Sequence, residues 1–429
     1  MRVEIRRREW NGMRTSFLAE SCRKKDEYAA GSGVSKGPGA TGVRQSNFEL
    51  LRIIAMVIIV AGHFGSHSGF DFPSDRITMN RLWIEFFEIG GNISVNVFVL
   101  LSGYFLIKSE SSRTKKLIQL WLQLFFYSLI IYFVFVIAGK DPLAFGEIIR
   151  RVLPVSFVQW WFASTYFVLA LFSPYLNSLL KSFGRKQYLG LLAMMCFCWS
   201  IMPTVTGQAF EGNFLLWFAF LYALGGYIRL YGLPTGLSAG KLIALSLLCV
   251  ILTYLTVVIL DFLSLKHEYL RSKTFYFYEI RRIPLLVISV LLFCGFARLR
   301  IRSSRWINTL ASAMFGVYLI HDHAYVRYYL WLDLFHNRDH GEDPLLILRF
   351  AGEVLLVMAG CTLIELARIH LLEKKYMPAV SRLAERIDRK AGSLFTEQPP
   401  QSNEGSSGQT GDASRVKAST GCSGQRSAE

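Results

Sequence analysis

Apolar residues gather along the chain in ten long runs, at roughly residues 48–64, 93–107, 117–138, 160–180, 186–202, 214–231, 241–263, 283–300, 307–331 and 346–370, with short polar segments between them. Coiled as helices, runs of this length span most or all of the hydrocarbon layer of a bilayer. The pattern predicts an all-α polytopic membrane protein, a bundle of about ten transmembrane helices. An even number of crossings places both termini on one side, and positive loops choose the cytoplasm for it. Those loops carry Lys108, Arg113, Lys115 and Lys116 after the second run, Lys181, Arg185 and Lys186 after the fourth, and Arg298, Arg300, Arg302 and Arg305 after the eighth. The alternate segments are more acidic, with Asp71, Asp75, Glu85 and Glu88 in an expected outer loop after the first run and Asp333, Asp339, Glu342 and Asp343 after the ninth. One expected outer loop breaks the rule, since Lys266, Arg271, Lys273, Arg281 and Arg282 fall between runs seven and eight. Either a run is miscounted there or those cations bind something.

Composition agrees with the pattern: 52% of residues are hydrophobic, only 18% are charged, and the mean hydropathy is +0.34. Residues 47–372 are expected to form one membrane domain, whose first run is its own insertion signal. Residues 1–46 are expected to be a disordered basic tail, and residues 373–429 a cytoplasmic segment disordered from about 391. The net charge of +16 sits mostly in these tails and in loops beside apolar runs, which suits a lipid bilayer as partner and not nucleic acid, for which there is no motif. Seven cysteines show no zinc or redox spacing and are expected to pack.

The first run, NFELLRIIAMVIIVAGHF, holds three ionisable residues, Glu49, Arg52 and His63. Eleven residues separate the last two. On a helix that spacing returns to within about 20° of the same direction and separates the groups by about 16 Å. Both therefore look into one groove at two depths, Arg52 near the inner interface and His63 in the outer half. Each alone has a plainer reading, Arg52 snorkelling to headgroups beside Glu49 and His63 lying at the interface. Span nine repeats the theme with His321, Asp322 and His323 at a similar expected depth, and two such costly clusters suggest a shared polar cavity. His63 and His67, and His336 and His340, have the i, i+4 spacing of zinc pairs. Gly65 and Gly69 are expected to end the first helix soon after Phe64, and the second pair lies among loop acids, so no metal is expected.

Taken together, these residues resemble the acyltransferase 3 family, bacterial integral-membrane O-acetyltransferases of cell-surface glycans, over most of residues 46–372. Arg52, ten residues and His63 are similar to its first-helix signature, and VNVFVLLSGYFL at 95–106 resembles its second-helix block. WFASTYFVLALFSPYLN at 161–177 and FGVYLIHDH at 315–323 are similar to later blocks, whereas SRTKKLIQL is looser than the Arg-rich motif usual after span two.

The resemblance implies a multi-pass protein of the bacterial cytoplasmic (inner) membrane. It implies transfer of an acetyl or other short acyl group from acetyl-CoA, a co-substrate with no cofactor held permanently, to a glycan or lipid-linked sugar hydroxyl. A homo-oligomer is compatible with it. Arg52, Arg113, Lys115 and Lys116 are expected to hold the coenzyme A phosphates. His63 is expected to act as general base, or to carry the acyl group as an acyl-imidazole. His321 is expected to donate a hydrogen bond to the oxyanion or to pack against the first helix. Asp71 or Asp75 would orient the imidazole, Asn96 would contact substrate, and Ser102 and Gly103 would let helices pack closely. The rival reading from another class is a transporter or exporter of an envelope glycan or small metabolite, in which buried ionisable groups bind substrate or protons. The absence of a visible internal repeat and the cations expected at the inner mouth favour the transferase.

Overall fold

The computed structural model describes residues 45–109, 113–210, 212–232 and 236–395. The expected basic tail up to residue 44 and the chain beyond 395 lie outside the described residues. Among the described residues all regular structure is helical. In chain order the helices are α1 (Ser46–His67), α2 (Met79–Leu106), α3 (Arg113–Ile137), α4 (Phe145–Val152), α5 (Trp161–Ser182), α6 (Arg185–Cys196), which continues through a π turn and the short helix Met202–Thr206, and α7 (Leu215–Tyr231). They continue as α8 (Ala239–Ser264), α9 (Ile283–Arg298), α10 (Arg305–His321), α11 (Ala324–Tyr328), α12 (Leu346–Arg368) and α13 (Lys374–Phe395). Eight helical segments among the described residues are long and apolar enough to cross a membrane. Two further expected spans, α7 and α10, are helices of 17 residues each.

Burial separates centre from rim. The most apolar stretches of α1 and α2 are 56% and 61% buried, whereas that of α8 is only 22% buried. The outward face of α8, with Leu248, Leu252, Leu255 and Ile259 exposed, is what a lipid-facing helix needs. Helices α2 and α7 approach closely because a glycine of each faces the other's backbone. A Cβ on Gly103 of α2 would lie 2.0 Å from the Tyr222 carbonyl oxygen of α7, and one on Gly225 of α7 would lie 2.2 Å from the Leu100 oxygen of α2.

The structure corrects several boundaries. Thr78 caps α2 by accepting a hydrogen bond from the Arg81 amide, so the helix begins at Met79. Glu85 and Glu88 are therefore helical residues, not loop acids. Arg81 bonds Glu85 at 2.8 Å and the fully buried Asp261 of α8 at 2.6 Å, tying the two helix ends together. Expected span nine is broken at Asp322, where α10 ends and the short α11 begins. Of the five cations of the discordant basic loop, Lys266, Arg271 and Lys273 are exposed and two are internal: Arg281 pairs with Glu279 at 2.7 Å, and Arg282 lies over the Tyr276 ring at 4.2 Å. Both arginines are buried, and Arg271 donates to the Ser74 carbonyl.

A second buried ionic network joins α12 to α3. Glu365 accepts from Arg368 at 2.8 Å, from Gln123 at 2.9 Å and from Tyr127 at 2.5 Å, and Glu373 accepts from Gln119 at 2.6 Å. All five cysteines of the membrane helices are free, and Cys294 and Cys361 are buried in packing.

Candidate active site

Helix α1 does not stop at Phe64. It runs to His67, with the chain turning at Gly69 through a φ of +67° that glycine adopts without strain. One further turn of helix brings His67 beneath His63, with ring centroids 4.6 Å apart. Opposite them, α10 ends on His321 and the turn residue Asp322.

The hydrogen-bond pattern sets the histidine tautomers. His321 Nδ1 lies 2.6 Å from the Val317 carbonyl oxygen, which can only accept, so Nδ1 carries the hydrogen. In the neutral ring His321 Nε2 is then an acceptor, and His63 Nδ1, 3.0 Å away, donates to it. His63 is held in the tautomer whose Nε2 is bare, leaving that nitrogen to meet a ligand.

Asp322 supplies the negative charge of the cluster. Its Oδ1 is 3.8 Å from His63 Nδ1, 3.6 Å from His67 Nε2 and 3.4 Å from the Arg327 guanidinium. Candidate ligand atoms of His63, His67 and Asp322 lie within 4.8 Å of one another, and two imidazoles with a carboxylate suit zinc by donor type. Arg327 already balances Asp322, however, and His63 Nδ1 is bonded to His321. His67 Nε2, 3.6 Å from Asp322 Oδ1, makes no hydrogen bond among the described residues.

His63 and Asp322 line a cavity of about 430 Å³. Tyr318, one turn before His321, also lines it, and its buried hydroxyl makes no hydrogen bond within the described residues. Glu88 and Asn92 of α2 form another part of the wall, with Trp161, Phe275 and Tyr278. A second cavity of about 320 Å³ is lined by Glu49, Arg52, Ser102 and Tyr166. Phe98, Phe162 and Phe315, from three different helices, belong to the walls of both. Arg52 and His63 thus face two chambers separated by a phenylalanine collar. A third cavity, bounded by Lys116, Gln119 and Gln123, shares Leu120 and Tyr166 with the Arg52 chamber.

Other expected site residues fall elsewhere. Asn96 is fully buried, donating to the Ile280 carbonyl and accepting from the Trp217 indole, so it has no amide group turned to a substrate. Asp71 and Asp75 are exposed loop residues, and Asp322 occupies the place beside His63 expected of them. His321 uses both ring nitrogens internally and has no N–H left for an oxyanion. His323 caps Tyr325 and packs on Trp160. Arg52 is paired with Glu49 at 2.5 Å and lies 5.6 Å from the Phe105 ring centroid. Lys115 is half-buried and Lys116 exposed near the start of α3, while the Arg113 side chain lies outside the described residues. The residues that sequence reasoning missed are His67, Tyr318, Arg327 and Glu88. His67 had its helical spacing as a signal; the others had none.

A family model described as an acyltransferase domain, that of the acyltransferase 3 family, matches residues 45–366. No curated protein and no solved structure matches the chain. The matched region contains α1 and α10, the two helices that carry the histidine pair, and covers about three quarters of the sequence. The chain belongs to the acyltransferase 3 family and is a membrane acyltransferase.

Proposed function

We propose that the protein moves an acetyl or other short acyl group from acyl-CoA, on the cytoplasmic side of a bacterial inner membrane, to a hydroxyl of a cell-surface polysaccharide or lipid-linked glycan. The observation that carries this reading is the bare His63 Nε2 at the wall of a chamber, held by the His321 relay. A sugar hydroxyl is a weak nucleophile near neutral pH, and a positioned neutral imidazole is the group suited to take its proton.

In the proposed step the acceptor oxygen attacks the thioester carbon while its proton passes to His63 Nε2. The tetrahedral intermediate then collapses, the carbon–sulfur bond breaks, and the thiolate of coenzyme A leaves with that proton. The imidazolium formed in between is stabilised by Asp322, 3.8 Å from Nδ1. The Tyr318 hydroxyl, at the chamber wall and without a hydrogen bond among the described residues, is the proposed donor to the developing oxyanion. Lys116 and Arg52 line successive cavities, and in this reading they meet the phosphates of a polyanionic donor while its thin acyl-pantetheine arm reaches toward the collar.

The test uses membranes containing the wild type or His63→Ala, given radiolabelled acetyl-CoA and the matching envelope glycan. Label transferred by the wild type alone is the expected result; equal transfer by both would remove His63 from the reaction. Substrate accumulating in wild-type vesicles without any label transfer would favour a transporter instead.

A further inference from the structure

We infer that the His63 chamber holds an acceptor subsite for a non-anionic sugar rich in hydrogen-bond donors, selected by the carboxylate of Glu88; this rests on the acyl-transfer reading for the identity of the acceptor. The charged or titratable acid–base groups on the chamber wall are His63, Glu88, Glu279 and Asp322, and no lysine or arginine lines it among the described residues. Glu279 is balanced by Arg281 at 2.7 Å and Arg282 at 3.7 Å, and Asp322 by Arg327 at 3.4 Å. Glu88 makes no hydrogen bond or ion pair with any described residue.

That is an unusual place for a lone carboxylate. Glu88 is half-buried, three turns into a helix that crosses the membrane, where an uncompensated charge is costly. Gly65 of α1 makes room for it, since a Cβ there would lie 3.0 Å from Glu88 Oε1. The fold therefore accommodates the group without pairing it, and a ligand supplies the missing partners. Those partners include donors, because a carboxyl group keeps an acceptor oxygen in either protonation state. Hydroxyls of a neutral sugar and the ammonium of an amino sugar share this chemistry.

The surroundings fit the same ligand. Asn92, one turn along α2, gives its Nδ2 to the Tyr278 carbonyl at 2.6 Å, which orients the amide and leaves Oδ1 as a second acceptor. The Trp161, Phe275 and Tyr278 rings add flat apolar faces against which the C–H surface of a pyranose packs. An acidic sugar would bring its own carboxylate to Glu88 with no chamber cation to offset it. Like-charge juxtaposition of this kind lowers kcat/KM by about tenfold or more.

The experiment uses the full chain in lipid nanodiscs, with radiolabelled acetyl-CoA and matched methyl glucoside, methyl glucosaminide and methyl glucuronide. The ratio of kcat/KM for the glucoside to that for the glucuronide is compared between wild type and Glu88→Gln. Both sugars meet the same preparation, so the folded fraction cancels. The wild type is expected to favour the glucoside and glucosaminide, and Glu88→Gln to reduce that preference about tenfold. Binding of the same sugars without acyl donor, by ligand-observed saturation-transfer NMR, provides an independent arm. Binding preference that Glu88→Gln removes, with no transfer by the wild type, keeps the subsite and sinks the acyl-transfer reading. A preference that is absent in the wild type, or unchanged in Glu88→Gln, overturns the subsite.

Discussion

His321 has both ring nitrogens occupied, one by the Val317 carbonyl and one by His63, so what it offers the proposed reaction is to hold its neighbour. Tyr318, three residues earlier on the same helix, has a buried hydroxyl at the chamber wall that makes no hydrogen bond of ordinary geometry among the described residues. If that hydroxyl meets the oxyanion, Tyr318→Phe lowers kcat for acetyl transfer by about 10²-fold while the KM for acetyl-CoA changes little. Steady-state kinetics with both substrates varied would check this, and an unchanged kcat would assign the oxyanion to another donor. Arg52 and His63 were legible from their spacing alone, because a helix turns any separation into a direction and a depth. The setting of Asn96 was not legible, for the opposite reason. Whether an amide on an apolar helix faces a cavity or a neighbouring backbone depends on the helix it meets, here α7 with Trp217 and the segment carrying Ile280.

The elements are held in place by two devices of different visibility. The α2–α7 contact rests on Gly103 and Gly225, where backbone meets backbone and no side chain can swing aside. Gly103→Val forces the helices apart and is expected to cost about 2 to 3 kcal/mol. The loss would be seen as a lower melting temperature in detergent by fluorescence size-exclusion; a variant as stable as the wild type would show that the crossing is looser than these distances require. The Ser102-Gly103 pair pointed to close packing from sequence, but its partner helix did not. The buried pair Arg368 and Glu365, 4% and 1% exposed, joins α12 through Tyr127 and Gln123 to α3. Removing the arginine leaves an uncompensated buried carboxylate, so Arg368→Ala is expected to destabilise by about 3 to 5 kcal/mol, measured by the same melting assay. Helix ends were the least legible elements: Gly65 suggested a stop after Phe64, yet the next turn packs, and α1 continues to His67.

Across the whole molecule, the chambers of Arg52 and His63 are separated by Phe98, Phe162 and Phe315. Phe162 is fixed by edge-on contacts to Tyr318 at 5.6 Å and Phe218 at 5.7 Å, while Phe98 lies 6.4 Å from it. An apolar constriction between two polar spaces excludes water and the protons it conducts. Phe98→Ala with Phe315→Ala is therefore expected to raise proton leak through protein-containing liposomes under a potassium diffusion potential, read with a trapped pH dye. Leak no greater than that of the wild type would place the seal elsewhere.

The chain by itself determined that the protein crosses the membrane many times, that α1 carries Arg52 and His63 on one face, and that the acyltransferase signatures run in order. These are local properties, set by hydropathy and by the geometry of single helices. Only the tertiary structure decided that Asp322 and not Asp71 stands beside His63, that His321 fixes its tautomer, that Tyr318 and Glu88 reach the same chamber, and that Arg281 and Arg282 are internal. All but the last depend on which helix faces which, and contacts between residues more than two hundred positions apart leave no periodicity in the sequence to read; the burial of the two arginines depends on how their own loop folds back on Glu279 and Tyr276.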